Sequence, residues 1–354
     1  MTCVPIRASR PYDVMIAPGL LESAGELLRP LTGAEKAAVV CGDLVRPLYA
    51  ERLSRALEGA GFRVFVKTIP HGEEHKTIAT YGEILNFLCE NEFDRGDLVV
   101  ALGGGVTGDL AGFTAASYRR GCGFASVPTT LIAAADAAVG GKTGFDLPGG
   151  KNQAGCFYQP LAVLCDTETF STLPERELRC GLAEIVKTAV LFDRALFDAL
   201  RAGYDPARAE EIVAKCVQYK ATIVARDEFE RGERRLLNLG HSFGHAVERC
   251  SGYTLHHGEA VAIGLAMIAR AAALRGFCAE EDAREIVSLL RALGLPTESP
   301  FSSEALFEAL KTDKKRACGT LCLVVPRAIG RCELLDVPFP EAADWLRDGG
   351  RHEA

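Results

Sequence analysis

The chain has 354 residues, 48% of them hydrophobic and 25% charged, which is typical of a soluble globular protein large enough for two domains. Its formal net charge of −7 argues against nucleic acid or an anionic membrane as a partner, so an anionic substrate would need a local basic pocket. The thirteen cysteines lack CxxC spacing and no signal-peptide pattern begins the chain, so we expect reduced thiols and a cytoplasmic protein. The apolar run 260–273 is too short to span a membrane.

The first half of the chain alternates strand patterns with helical patterns. Two short runs within 4–16 predict a hairpin, and strands are predicted at 37–42, 63–70, 97–105, 123–128 and 161–166. Helices are predicted at 47–59, 76–91 and from about residue 107. This alternation indicates a parallel α/β sheet. We therefore predict an α/β domain over 1–170.

Beyond residue 170 the pattern becomes helical. Helices are predicted at 173–201, 207–225, 241–250, 259–275 and 279–293, followed by a strand pair within 319–337. The second domain, 171–354, is therefore expected to be mostly α-helical.

Two glycine-rich stretches of the first domain are candidates for binding phosphate. The run GGGVTGDLAG (103–112) lies between a predicted strand and helix, where backbone N–H groups can approach an anion. Its spacing is not GxGxxG, but a phosphate-binding turn is favoured over a merely tight turn. The segment 134–155 has no clear periodicity and holds Asp136, Lys142 and Asn152, so we interpret it as a long loop. Its lysines suit anion capture, or lie on a flexible surface.

The segment 234–260 holds four of the seven histidines. His241 and His245 stand four residues apart and share one face of a helix, and imidazole is a common zinc ligand. Histidines that cap a helix end are the alternative, but four in one segment favour a metal site. In GLAEIVK (181–187), Glu184 and Lys187 are three residues apart, which fits an ordinary helical ion pair. Alternatively, Glu184 is a carboxylate ligand that completes a zinc site with two histidines. Periodicity alone does not choose between these.

The joint order of these motifs resembles the 3-dehydroquinate synthase family of sugar-phosphate cyclases. The matching pieces extend from about residue 40 to 330 and include PHGEEHK, GGGVTGDLAGF, VPTTL, GLAEIVK, NLGHSFGHAVE, HHGEAVAIG and DKK. The resemblance implies a Rossmann-like NAD-binding domain followed by a mostly helical domain that binds metal and substrate. It also implies a homodimer in which Arg120 reaches the site of the neighbouring subunit.

The resemblance assigns four sets of site residues. A zinc ion, with cobalt as a possible substitute, would be held by Glu184, His241 and His257. The implied NAD contacts are Glu73, Lys76, Gly104, Gly105, Val106, Asp109, Thr129, Thr130, Lys142 and Lys151. The implied substrate and phosphate contacts are Arg120, Asp136, Lys142, Asn152, Lys187, Arg234, Asn238, His245 and Lys314. The implied catalytic residues are Lys142, Lys187, Glu230, Arg234, Asn238 and His245.

The implied enzyme is a carbon–oxygen lyase acting on a phosphorylated sugar acid. It would convert 3-deoxy-D-arabino-heptulosonate 7-phosphate to 3-dehydroquinate and phosphate, in the shikimate route to aromatic amino acids, and would regenerate its NAD. One alternative is a sister cyclase of the amino-dehydroquinate synthase type. Valiolone-type relatives tend to lose residues matching Asn238 and His245, both of which are present. Another alternative is a metal-dependent polyol dehydrogenase of the same fold.

Overall fold

A computed structural model describes residues 1–314 and 319–350, and the side chains of residues 312–314 lie outside this description. The chain forms two compact units. The first comprises Met1–Leu173 and Pro206–Phe229, and the second comprises Pro174–Asp205 and Glu230–Ala354. The sequence-based domains, 1–170 and 171–354, remain a prediction and differ from these units mainly at 206–229.

The regular elements follow the predicted order through most of the chain. The described strands are β1 (Thr2–Ile6), β2 (Tyr12–Ala17), β3 (Lys36–Gly42), β4 (Arg63–Ile69), β5 (Leu98–Gly103), β6 (Gly123–Pro128), β7 (Lys142–Leu147), β8 (Gly150–Phe157), β9 (Ala162–Asp166), β10 (Thr320–Ala328) and β11 (Arg331–Pro338). The described helices are α1 (Leu20–Leu28), α2 (Glu51–Gly59), α3 (Ile78–Glu90), α4 (Gly105–Ser117), α5 (Glu175–Phe192), α6 (Arg194–Leu200), α7 (Ala209–Arg226), α8 (His241–Cys250), α9 (His257–Leu274), α10 (Glu280–Ala292), α11 (Ser303–Lys314) and α12 (Ala342–Gly349).

The first unit is built on a seven-stranded sheet in the order β1-β2-β9-β6-β5-β3-β4. Its neighbouring strands are parallel except for β1 and β2, which form the predicted antiparallel hairpin. Successive residues of β3 pack on opposite faces: Val39 lies in a cluster with residues of α1 and α2, and Val40 in a cluster with residues of α3 and α4. Because both faces are covered, the strand is apolar and buried from Ala37 onward. The predicted parallel α/β sheet is confirmed.

The helix α7 belongs to the first unit although the sequence-based division placed it in the second domain. It packs against β1 and β2, at the edge of the sheet where the N-terminal hairpin lies. Its helical pattern is continuous with that of the helices around it in the chain, so sequence alone does not show which unit it joins.

The glycine-rich segment that was interpreted as a loop instead contains the antiparallel hairpin β7–β8. Gly144 and Gly155 are partners across this hairpin. A Cβ on Gly155 would lie 2.0 Å from the carbonyl oxygen of Thr143, so only glycine permits this close approach. The loop interpretation of these residues was wrong, because glycines that allow strands to approach have no hydrophobic pattern to read.

The second unit is mostly helical, as predicted, and α9 is its central helix. Residues of α9 contact α5, α8, α10 and α12, and β10 pairs with β11 as the predicted strand pair. The single helix predicted over 173–201 is two helices, because Asp193 ends α5 and its side chain accepts a hydrogen bond from Leu196 N (2.9 Å) to cap α6. Helices α11 and α12 were not predicted; short helices depend on tertiary packing more than on their own pattern.

Among the described residues, one helix is long and apolar enough to cross a membrane by length and composition. This helix is α9, whose 18 residues exceed the apolar run recognised in the sequence, and 72% of it is buried inside the protein. Such burial is typical of a core helix, and residues at its start contribute to the site described next.

Candidate active site

Three residues of the second unit form a candidate metal site. Glu184 lies in α5, and His241 and His257 are the first residues of α8 and α9. Oε1 of Glu184 lies 3.5 Å from Nε2 of His241 and 3.4 Å from Nε2 of His257. The three donor atoms lie within 4.8 Å of one another. One carboxylate and two imidazoles are a donor set that suits zinc or cobalt and leaves a coordination position open for another ligand. The residues present therefore fit the implied metal.

Close packing of α8 against α9 brings the two histidines together. Gly240 precedes His241 with φ of 77°, a backbone conformation that L side chains rarely adopt. A Cβ on Gly264 of α9 would lie 2.0 Å from the carbonyl oxygen of Gly240. The spacing of the two helices thus depends on glycine at both positions.

The two histidines of this site have opposite pKa shifts. Burial lowers the pKa of His241 to about 3, although Glu184 opposes the shift. Burial also disfavours the charged form of His257, but hydrogen bonds with Glu184 and Glu248 outweigh it and raise the pKa of His257 to about 10. These shifts leave His241 neutral at pH 7, whereas His257 must lose a proton before it can bind a cation.

Lys187 lies one helical turn after Glu184, and its Nζ is 2.6 Å from Oε2 of that carboxylate. Both side chains are almost fully buried, with 2% and 1% of their surface exposed. Glu184 and Lys187 therefore form the ion pair that their spacing allowed. It is compatible with the ligand interpretation, because the other carboxylate oxygen faces the histidines.

The second unit also contains the candidate residues Glu230, Arg234, Asn238, His245 and Lys314. Glu230 accepts a hydrogen bond from Nδ2 of Asn238 (2.7 Å), and the ring of His245 lies 5.4 Å from that of His241. Arg234 has 1% of its surface exposed. Lys314 is the last residue of α11, and its side chain lies outside the described residues.

Several residues that the resemblance assigned to NAD binding lie around a buried lysine of the first unit. Nζ of Lys76 lies 2.6 Å from Asp109 and 4.0 Å from Glu73, and it also donates to Asn152. Lys151 lies 3.4 Å from the same Glu73. Burial lowers the pKa of Lys76, but the nearby carboxylates outweigh it and raise the pKa, so this lysine is charged. Asn152, which the resemblance assigned to the substrate, thus contacts a residue assigned to NAD.

The glycine-rich turn lies where β5 ends and α4 begins, as the sequence indicated. Gly104, Gly105 and Asp109 line a pocket that also includes Lys142. Thr129 N donates to Gly103 O (3.0 Å), while Thr129 Oγ1 is buried and has no hydrogen-bond partner in the described part of the chain. A buried hydroxyl beside a phosphate-type turn fits a site for a polar cofactor. The remaining members of this set are Val106, which packs on the core, and Thr130, whose Oγ1 accepts from Ala133 N (3.2 Å).

Asp136 forms a partly buried contact that was not predicted from the sequence. Lys220 of α7 donates to the carboxylate of Asp136 and, at 2.8 Å, to its backbone carbonyl. Lys220 has 9% of its surface exposed and lies on the apolar face of α7, near Cys216 and Val224. A lysine at a buried position of an amphipathic helix is a signal that could have identified it. Arg120, by contrast, is exposed and has a φ of 65°.

These two sets of residues define a class of protein. The α/β unit has a phosphate-type turn after a parallel strand, and the helical unit has a carboxylate and two imidazoles arranged for a divalent cation. This combination indicates a metal-dependent enzyme that also binds a nucleotide.

Comparison with known proteins identifies the family. Residues 66–180 match the family model described as 3-dehydroquinate synthase N-terminal, and residues 181–316 match the one described as 3-dehydroquinate synthase C-terminal. The 3-dehydroquinate synthase of Caulobacter vibrioides is 46% identical over 336 residues, covering 91% of this chain and 91% of that protein. The chain belongs to the 3-dehydroquinate synthase family, as its motifs predicted.

Solved structures agree with this assignment. A 2-deoxy-scyllo-inosose synthase, complexed with carbaglucose-6-phosphate, NAD+ and Co2+, matches with a TM-score of 0.89 and 26% identity over 98% of this chain and 100% of that one. The 2-epi-5-epi-valiolone synthase of Streptomyces hygroscopicus, with NAD+ and Zn2+ bound, matches with a TM-score of 0.87 and 32% identity over 96% of both chains. The predicted two-part fold is confirmed.

Proposed function

We propose that this chain converts 3-deoxy-D-arabino-heptulosonate 7-phosphate to 3-dehydroquinate and phosphate. The observation that carries the proposal is the convergence of Glu184, His241 and His257, with Lys187 beside them, in a member of this family. The enzyme is thus a carbon–oxygen lyase acting on a phosphate ester, at a step of the shikimate route to aromatic amino acids.

The cofactors are NAD and a divalent metal, zinc or cobalt, in line with the similar cyclases that hold NAD+ with one of these ions. When bound, the metal ion would polarise two neighbouring substrate hydroxyls, and NAD+ would accept a hydride and later return it. In the second unit, Glu184, His241 and His257 would hold the metal. In the first unit, Lys76, Asp109 and the glycine-rich turn would hold the nucleotide.

Other candidate residues of the second unit would bind and orient the substrate. Lys187 places an ammonium group beside Glu184, where it can donate to an oxygen of the substrate. The hydrogen bond between Asn238 and Glu230 fixes the orientation of that amide. Arg234 offers a buried guanidinium, whose planar donors match a carboxylate or a phosphate. In an acidic protein, the positive charge for a phosphorylated substrate is thus concentrated locally.

The assembly and location follow from the same reasoning. We propose a homodimer in which Arg120, exposed on the described chain, contacts the phosphate bound by the neighbouring subunit. We also propose that Asp136, Lys142, Asn152, His245 and Lys314 belong to the substrate side and Lys151 to both ligands. The protein would act in the cytoplasm.

A sister sugar-phosphate cyclase is the second candidate, because the two solved structures named above are enzymes of that kind. The higher identity to 3-dehydroquinate synthases favours the first candidate.

A substrate panel separates these functions. Metal-stripped and zinc-restored protein would be incubated with NAD+ and each of four compounds: the heptulosonate phosphate, its amino analogue, a sugar phosphate without a carboxylate, and an unphosphorylated polyol. We expect cyclised product, identified by mass spectrometry, from the heptulosonate phosphate and only with the zinc-restored protein. Faster turnover of the amino analogue, or of the sugar phosphate, would move the assignment to the corresponding sister cyclase.

A further inference from the structure

A second carboxylate, Glu248, contacts the candidate metal ligand His257 from the side opposite Glu184. Glu248 lies in α8, seven residues after His241, and therefore on the same helical face. Its side chain has 1% of its surface exposed, and its Oε1 lies 3.2 Å from Nδ1 of His257. The other ring nitrogen, Nε2, lies 3.4 Å from Oε1 of Glu184. The imidazole of His257 is thus held between two carboxylates.

The two nitrogens of a neutral imidazole have different roles. One carries a proton and donates, while the other offers a lone pair to a metal or to a hydrogen-bond donor. If Nδ1–H of His257 donates to Glu248, the lone pair of Nε2 is directed to where Glu184 and His241 converge. The opposite tautomer would place a proton on Nε2 and block it as a ligand.

His241 shows the same arrangement with a different partner. Its Nδ1 lies 3.1 Å from the backbone carbonyl oxygen of Leu239, and its Nε2 lies 3.5 Å from Oε1 of Glu184. Both histidines therefore have an acceptor behind Nδ1 and present Nε2 to the same carboxylate. Metal-bound histidines commonly have such a partner on the other nitrogen, which fixes the tautomer and the ring orientation.

Packing does not require a carboxylate at this position. Neighbouring residues of α8, Phe243 and Val247, are buried and apolar, and burying a carboxylate costs free energy unless it is paired. The end of α8 is held through the main-chain carbonyl of residue 248, which accepts hydrogen bonds from Tyr253 N and Ser251 Oγ, and not through its side chain. A substitution of the side chain leaves these helix-end bonds available.

We propose that Glu248 is a positioning residue that holds the Nδ1 proton of His257, so that Nε2 becomes the metal donor. The inference rests on the metal centre of the proposed function and is independent of which sugar phosphate is bound. The rival role is that of a ligand, because His245, Glu248 and His257 also place donor atoms within 4.8 Å of one another. The two roles differ in which substitution abolishes binding and in how many ions bind.

The test measures zinc affinity and stoichiometry by competition with a chromophoric chelator, on full-length Glu248→Leu, Glu248→Gln and Glu184→Gln. Loss of a histidine's partner typically weakens metal binding by about 10- to 100-fold, and we expect a loss of this size for Glu248→Leu. Glu248→Gln keeps an oxygen that accepts from Nδ1–H, so it should recover most of this loss. Glu184→Gln, which alters a ligand, should weaken zinc binding more than either. Thermal unfolding of the zinc-free variants reports whether each one folds.

Each outcome decides a separate claim. Wild-type zinc affinity in a folded Glu248→Leu variant would overturn the inference, as would a Gln variant as weak as the Leu variant. Two zinc ions per chain in the wild type, one of them lost on substituting Glu248, would show it to be a ligand. Unchanged zinc binding in Glu184→Gln would instead remove the metal centre of the proposed function.

Discussion

Replacing Lys187 with methionine should lower the stability of the metal-free protein and increase its affinity for zinc. Lys187 and Glu184 form a buried pair with 2.6 Å between Nζ and Oε2. Removing one partner of a buried pair typically costs about 3–5 kcal/mol, because a charge is left without compensation. His257 remains 3.4 Å from Glu184 and is positively charged below pH 10. We therefore expect a loss near the lower end, about 3 kcal/mol in the free energy of unfolding.

A bound zinc ion should reduce this loss of stability, because its positive charge compensates the carboxylate of Glu184 in place of the lysine. If the loss in the zinc-bound protein falls to about 1 kcal/mol, the thermodynamic cycle requires zinc to bind about 2 kcal/mol more tightly. This difference corresponds to roughly 30-fold in the dissociation constant. Turnover should fall at the same time, because the proposed substrate contact of Lys187 is lost. The assay combines thermal unfolding with and without zinc and chelator competition.

Lys311→Met is a matched control. Lys311 and Glu308 form an ion pair at the same three-residue spacing in a helix, but 41% and 68% of their side-chain surface is exposed. Exposed pairs contribute about 0–1 kcal/mol, so this variant should unfold like the wild type and bind zinc equally well. Weaker or unchanged zinc binding in Lys187→Met, with an unaltered unfolding temperature, would refute the reasoning.

Three further predictions concern the same residues. Zinc binding should release about one proton per chain between about pH 7 and 9, because His257 is protonated below its pKa of about 10 and must be neutral to bind. Zinc affinity should therefore rise about tenfold per pH unit in this range. An affinity that does not change with pH would contradict this prediction. His257→Ala should lose zinc whereas His245→Ala should keep zinc and lose turnover, so equal zinc loss in both would show the ligand assignment to be wrong. Asp136 and Lys220 form one pair, so the effect of the double variant Asp136→Asn/Lys220→Met on kcat/KM should differ from the sum of the single effects by roughly 0.5–3 kcal/mol. Additive effects would exclude a joint role.

Sequence periodicity predicted those parts of the fold that have a strong local pattern. Residues 37–42 of β3 and all of β5 are buried on both faces and therefore apolar, and α9 is buried along most of its length. The hairpin β7–β8 was missed because its close contacts require Gly144 and Gly155, which show no alternation. The place of α7 in the first unit was missed because a helical pattern does not identify its packing partner.

The candidate metal site was predicted through its motifs and not through local geometry. Glu184 precedes His241 by more than fifty residues, so only the packing of α5, α8 and α9 brings the two together. The local HxxxH pattern initially favoured His241 and His245 as a ligand pair; in the structure, His257 joins His241 and Glu184. Glu248 and Lys220 were missed because burial of a charged side chain cannot be read from composition. Their helical spacing to buried neighbours is the signal that could have found them.

The most direct test of the proposed function follows phosphate and NADH in one reaction. Zinc-restored protein, catalytic NAD+ and 3-deoxy-D-arabino-heptulosonate 7-phosphate would be mixed, and phosphate release and NADH absorbance recorded together. A synthase that returns its hydride releases phosphate until the substrate is consumed, without lasting NADH accumulation. Steady NADH accumulation without phosphate release would contradict the proposal and indicate a metal-dependent dehydrogenase.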